Sequence, residues 1–160
     1  MERRPVVAVG AVAVNDGAIL LIRRGRPPAE GRWSLPGGRV EWGEPLTDAL
    51  RREVEEETAL RVEVGRLAGV VERIYGDAPA RLRGDGGEPE AERTGAAALE
   101  HPEKAFHYVI LDYFVTVTGG DLRPGGDVTA ARWVGPAELA ELSLSDGLLE
   151  ALEDFGVAFD

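Results

Sequence analysis

Apolar residues along the chain recur with two different periods, and the change from one to the other marks out the elements. Val6 to Val14 alternates small and β-branched apolar residues, and Ala18 to Arg23 is a second largely apolar run. Asn15-Asp16-Gly17 between them tolerates positive φ, so the two runs predict a β-hairpin. Gly25 to Gly38 is rich in Gly, Pro and Arg and holds Trp33-Ser34-Leu35-Pro36-Gly37-Gly38, a structured loop. Leu46 to Leu60 carries neither Gly nor Pro and is preceded by Pro45, which suits a first helical turn, so a helix is predicted there. Arg61 to Tyr75 returns to β-branched residues and predicts one bent strand or two short ones.

The pattern vanishes from Gly76 to Lys104, where Gly, Pro, Ala, Glu and Arg dominate, and a long mobile insertion is expected at 76-104. Phe106 to Thr118 places Val109, Leu111, Tyr113, Val115 and Val117 on one face, and its other face is also largely apolar, as in a central strand covered on both sides. Ala130 to Val134 predicts a short strand. Two amphipathic pieces follow, one starting near Pro136 and one near Ser145, a candidate N-cap. The order predicts an α+β domain with a mixed sheet between helices, one domain across 1-160.

Composition narrows the classes. The 160 residues contain no cysteine, which removes disulfides, zinc-thiolate sites and thiol nucleophiles and makes the cytoplasm the default expectation. No apolar run approaches the roughly 20 residues of a membrane span. A formal charge of −11 argues against nucleic acid as a partner. A small phosphorylated substrate stays open if cations or a local basic patch offset the repulsion.

The candidate chemistry lies on the predicted helix. Glu53, Glu56 and Glu57 stand at i, i+3 and i+4, so their carboxylates share one face. A hard divalent cation would resolve their repulsion. A solvated acidic face braced by Arg51–Glu55 and Arg52–Glu56 pairs explains the same charges. The preceding Leu-Pro-Gly-Gly turn favours the first reading, because glycine lets the backbone approach the acidic face closely.

Gly38-x5-Glu44-x7-Arg52-Glu53-Val54-x-Glu56-Glu57-x-Ala59-Leu60 resembles the Nudix box, and the chain is similar to the Nudix hydrolases beyond these 23 residues, in its flanking strands and its Trp133 region. The box ends with Gly where this chain has Ala59, so a different helix exit is expected. The resemblance implies a Nudix fold, a mixed sheet sandwiched between α-helices. It implies that Glu53, Glu56 and Glu57 bind Mg²⁺, with Mn²⁺ as a substitute, assisted by a carbonyl of Gly37 or Gly38. Arg52, paired with Glu44, would orient the carboxylates or serve as a structural bridge. A homodimer is implied by the resemblance alone.

Diphosphate hydrolysis needs charge neutralised on phosphate oxygens and a water made nucleophilic. Glu56 is the first candidate for the base, with Glu103 and Asp127 behind it as residues more readily explained as surface acids. Arg23, Arg24 and Arg39 belong to a basic patch, with Arg26 and Arg32, that could hold phosphate. Trp33 could stack on a base, although packing explains it as well. His101 and His107 form no recognisable triad or metal cluster. The resemblance, to the ADP-ribose pyrophosphatase group in particular, implies a nucleoside diphosphate derivative as substrate, ADP-ribose first, cleaved to AMP and ribose 5-phosphate. The alternatives are a nucleoside triphosphate pyrophosphatase, oxidised nucleotides included among its substrates, and a non-catalytic nucleotide-sugar-binding regulator.

Overall fold

The computed structural model describes residues 4–75 and 105–158. The expected insertion at 76-104 lies outside them. The elements are β1 Val6–Val12, β2 Val14–Asn15, β3 Ala18–Arg24, β4 Trp33–Ser34, β5 Gly37–Arg39, α1 Leu46–Thr58, β6 Leu60–Tyr75, β7 Phe106–Gly120, β8 Val128–Val134, α2 Pro136–Leu139 and α3 Leu148–Asp154. None of these helices is long and apolar enough to cross a membrane.

The strands form two four-stranded sheets. The first runs β5-β1-β7-β6, with β1 and β7 parallel, and the second joins β2, β4 and β8 to β3. The expected hairpin is only half present. Asp16-Gly17 does turn β2 into β3, but β1 leaves that ladder after Val12 and pairs instead with β5 and β7. The physical reason is that β1 is buried almost throughout, and a parallel neighbour covers it more fully than β3 could. β7 is the central strand its pattern predicts, and β6 is one strand with three register shifts along it.

Alternation sorts the core into two. Val9, Ala11, Leu20, Val62 and Val115 pack with Ala49, Leu50 and Val54 of α1. Val12, Ile19, Leu21 and Trp33 pack with Leu139 of α2 and Leu148 and Leu152 of α3. The β layer therefore lies between α1 on one side and the C-terminal helices on the other, the sandwiched mixed sheet that was expected. Burying Leu50 and Val54 fully is worth roughly 1.5–3 kcal/mol each, which fixes the face α1 presents.

Local chemistry sets the helix ends. Ser145 does not cap α3 with its side chain: the N-cap is Gly147, and the Ser145 carbonyl accepts from the Leu148 N–H at 3.2 Å. α1 ends at Thr58, and Ala59 follows with φ 60, the left-handed conformation a glycine would take. The exit is thus the glycine-type exit in spite of the alanine, sealed by Arg123 N–H to the Thr58 carbonyl and Gly125 N–H to the Glu57 carbonyl. An alanine in this region costs roughly 1–2 kcal/mol, partly offset by its smaller unfolded-state entropy. Ala59→Gly should therefore raise stability by roughly 0.5–1 kcal/mol, read as a higher denaturant midpoint at unchanged m-value.

Candidate active site

The glutamates of α1 meet the sheet where β5 forms its edge. Gly38 pairs with Val9 and Gly37 with Gly10, which presses the Gly37-Gly38 backbone against the helix. A Cβ on Gly38 would stand 2.5 Å from the Glu53 carboxyl carbon, so only glycine leaves room for that side chain. The Gly37 N–H donates to Glu57 Oε1 at 2.7 Å.

Arg52 ties the cluster together. Its Nε and Nη2 donate to Glu44 Oε2 at 2.8 Å and Oε1 at 2.9 Å, a two-pronged fit of guanidinium to carboxylate. Nη1 reaches Glu53 at 2.8 Å and Glu56 at 3.4 Å, and Nη2 also donates to the Arg39 carbonyl at 3.1 Å. The hydrogen bonds from Arg52 hold the Glu44 carboxyl at about 2, and Glu44 in turn pushes the Arg52 guanidinium further up. Arg51 pairs with Asp48 at 3.2 Å instead of the expected Glu55.

Burial dominates the remaining two. Solvent is stripped from Glu57, which drives its carboxyl up to about 8 against the opposing Gly37 N–H, with Glu53 raising it further and Arg24 lowering it. Glu53 is raised by burial and lowered by Arg52. Glu44, Glu53 and Glu56 thus share the Arg52 guanidinium, while Glu57 is held by the Gly37 N–H. Hard oxygen donors with unbalanced negative charge fit a small divalent cation. Arg52 draws Glu53 and Glu56 towards itself, and among the described residues no three acidic or histidine side chains stand gathered in ligand geometry.

The other sequence candidates divide. The Arg24 charge acts on Glu57, and Arg39 leans over the Tyr108 ring with a 3.3 Å hydrogen bond to its hydroxyl. Arg23 is exposed and bound to the Gly31 carbonyl. Trp33 is 8% exposed inside the second core cluster, under the Arg132 guanidinium, so packing accounts for it. Asp127 pairs with Arg26 at 3.2 Å on the surface, and Glu103 lies outside the described residues. His107 meets Glu72 at 2.9 Å. Sequence reasoning missed Asp112, 5% exposed on β7, whose carboxyl burial raises to about 6. Its signal was available: one acid in the apolar run Val109-Ile110-Leu111-Asp112-Tyr113-Phe114.

The NUDIX domain matches residues 4–155. The chain is 31% identical over 139 residues to an ADP-ribose pyrophosphatase of Methanocaldococcus jannaschii, covering 87% of this chain and 67% of that protein. It is 46% identical over 67 residues to the human 8-oxo-dGDP phosphatase NUDT18, 42% of this chain and 21% of that one. Among solved structures, a MutT NUDIX hydrolase from Burkholderia pseudomallei aligns with TM-score 0.69 and 30% identity over 95% of this chain and 98% of its own. The chain belongs to the NUDIX domain family. It is a Nudix-type pyrophosphohydrolase, one of a class that acts on small nucleotide substrates and generally uses a divalent metal.

The shifted carboxyls set a pH dependence. Glu57 returns to 4.5 on unfolding and Asp112 to 3.8, so each favours the folded state fully below those values and loses that contribution as pH rises through about 8 and about 6. Glu44 works the other way, but only as pH falls from 4.5 towards about 2. The melting temperature of the metal-free protein should fall between pH 5 and pH 8, and Glu57→Gln should flatten the upper part of that fall. A divalent cation needs the ionised carboxylates, so its stabilising shift should grow across the same window, as thermal melts with and without Mg²⁺ would record.

Proposed function

We propose that the chain hydrolyses the phosphoanhydride bond of a nucleoside diphosphate derivative, ADP-ribose foremost, to AMP and ribose 5-phosphate. The observation that carries this reading is the helical carboxylate face lodged against Gly37-Gly38, where a side chain on Gly38 would collide with Glu53. The preference for ADP-ribose rests on the archaeal relative, whose likeness extends over most of this chain.

In this reading Glu53, Glu56, Glu57 and the Gly38 carbonyl would hold Mg²⁺, or Mn²⁺ in its place, which would supply neutralisation of the phosphate oxygens and acidification of water. Glu56 is the most exposed of the three carboxylates and the one within reach of bulk water, so it would accept the proton of the attacking water. Arg52 and Glu44 keep the cluster in register, and Arg24 and Arg39 offer cationic contacts to the substrate phosphates. Arg23 is an outer contact. A second reading, removal of phosphate from oxidised nucleotides, is favoured by the likeness to the human 8-oxo-dGDP phosphatase.

A panel of ADP-ribose, other nucleoside diphosphate derivatives and oxidised nucleoside di- and triphosphates, run with Mg²⁺ and with chelator, separates these readings by product. ADP-ribose should give AMP, and chelator should abolish turnover. Glu53→Gln and Glu57→Gln should each lower kcat by about a hundredfold or more at unchanged fold, since each removes ligand charge with little change in volume. Near-normal rates in both variants would overturn the assignment.

A further inference from the structure

Among the described residues, β7 carries the one buried acid that this chemistry leaves unused. Asp112 pairs with Gly10 of β1 and Gly69 of β6, and Gly10 pairs in turn with Gly37 of β5. The row across the first sheet is therefore Gly37, Gly10, Asp112, Gly69, with a single side chain in it. That side chain leans towards β5. A Cβ on Gly10 would lie 2.1 Å from Asp112 Oδ1, whereas the Gly69 side is occupied by the Phe155 ring. The carboxylate thus leans along the row towards β5, whose Gly37 N–H bonds Glu57.

No described residue donates a hydrogen bond to it, and Arg73 acts on it only through its charge. No unpartnered side-chain oxygen among the described residues is sealed from solvent, so the Asp112 carboxylate, nearly buried as it is, opens to a ligand. An acid left this way costs stability, which a substrate contact would recover. The same alternation places Phe106 and Tyr108, stacked at 5.8 Å, and Tyr75 opposite Phe106 on this face. Two strand spacings separate Asp112 from Gly37, about 10 Å, which is the reach of a nucleoside whose diphosphate sits at the glutamates.

We propose that Asp112 is a specificity-determining residue whose carboxylate accepts a hydrogen bond from an uncharged donor on the nucleoside half of the substrate, a base amino group or a ribose hydroxyl. The proposal rests on the reading of the site given above. A neutral donor fits because the substrate carries no positive group and Arg73 already supplies the fixed cation.

The test compares the full chain with Asp112→Asn in Mg²⁺, using ADP-ribose, its inosine counterpart without the base amino group, and its adenosine-side 2′-deoxy counterpart. The KM for ADP-ribose should rise about tenfold in the variant, with kcat falling less than threefold. For one of the two analogues the KM should be the same in both proteins, and which one names the donor. Gly10→Ala, which crowds the carboxylate and keeps the acid, should reproduce that pattern and covers the case in which Asp112→Asn does not fold. An unchanged KM for all three substrates, or an equal rise for all three, would overturn the proposal. Failure of the substrate reading shows separately, in the wild type's own panel, and the comparison then uses the nucleotide that panel selects with its matching analogues.

Discussion

One guanidinium holds the site in a single arrangement. Four carboxylates converge on the β5 edge of α1, and left alone they would push apart. Arg52 answers with a planar fork on Glu44 and a second contact towards Glu53 and Glu56. Because Nη2 also takes the Arg39 carbonyl, the same side chain fastens the end of β5 to the helix. The Gly37-Gly38 bend is thereby trapped between a sheet partner and a charged helix face. Lysine could not replace it, since a point charge on a flexible stem offers neither the fork nor the reach to a third group.

Much of this was legible from residue order. The i, i+3, i+4 spacing of Glu53, Glu56 and Glu57 and the glycines before the helix are local features, and local features survive folding. The central placement of β7 was equally visible, because both of its faces are apolar. What sequence could not supply was partner choice. Val6 to Val14 reads as one arm of a hairpin, yet β1 pairs with β7 from the far end of the chain, and strand pairing at that separation leaves no mark in a window of ten residues. Trp33 illustrates a second blind spot: an aromatic beside a loop looks the same whether it faces a ligand or the core. Asp112 was passed over for the opposite reason, as a lone acid without a motif around it.

Stability and chemistry are divided between regions. The core clusters on either side of the β layer are apolar and closely packed. Against them stand Glu57 and Asp112, both pushed towards their neutral forms by burial. These groups are expensive where they are, and the expense is concentrated along the row that begins at Gly37. A chain with formal charge −11 places three of its 18 Lys and Arg residues, Arg24, Arg39 and Arg52, near this edge.

Ala13 is the whole of the connection between β1 in the first sheet and β2 in the second, and it is buried. With no slack at that joint, and with Leu20 N–H bonded back to the Ala13 carbonyl at 3.0 Å, the two sheets meet at a fixed angle. Glu57, braced against the first sheet, and Arg24, carried by the second, are consequently held like the jaws of a set calliper. The spacing between these two groups is thereby set by a one-residue joint in the backbone.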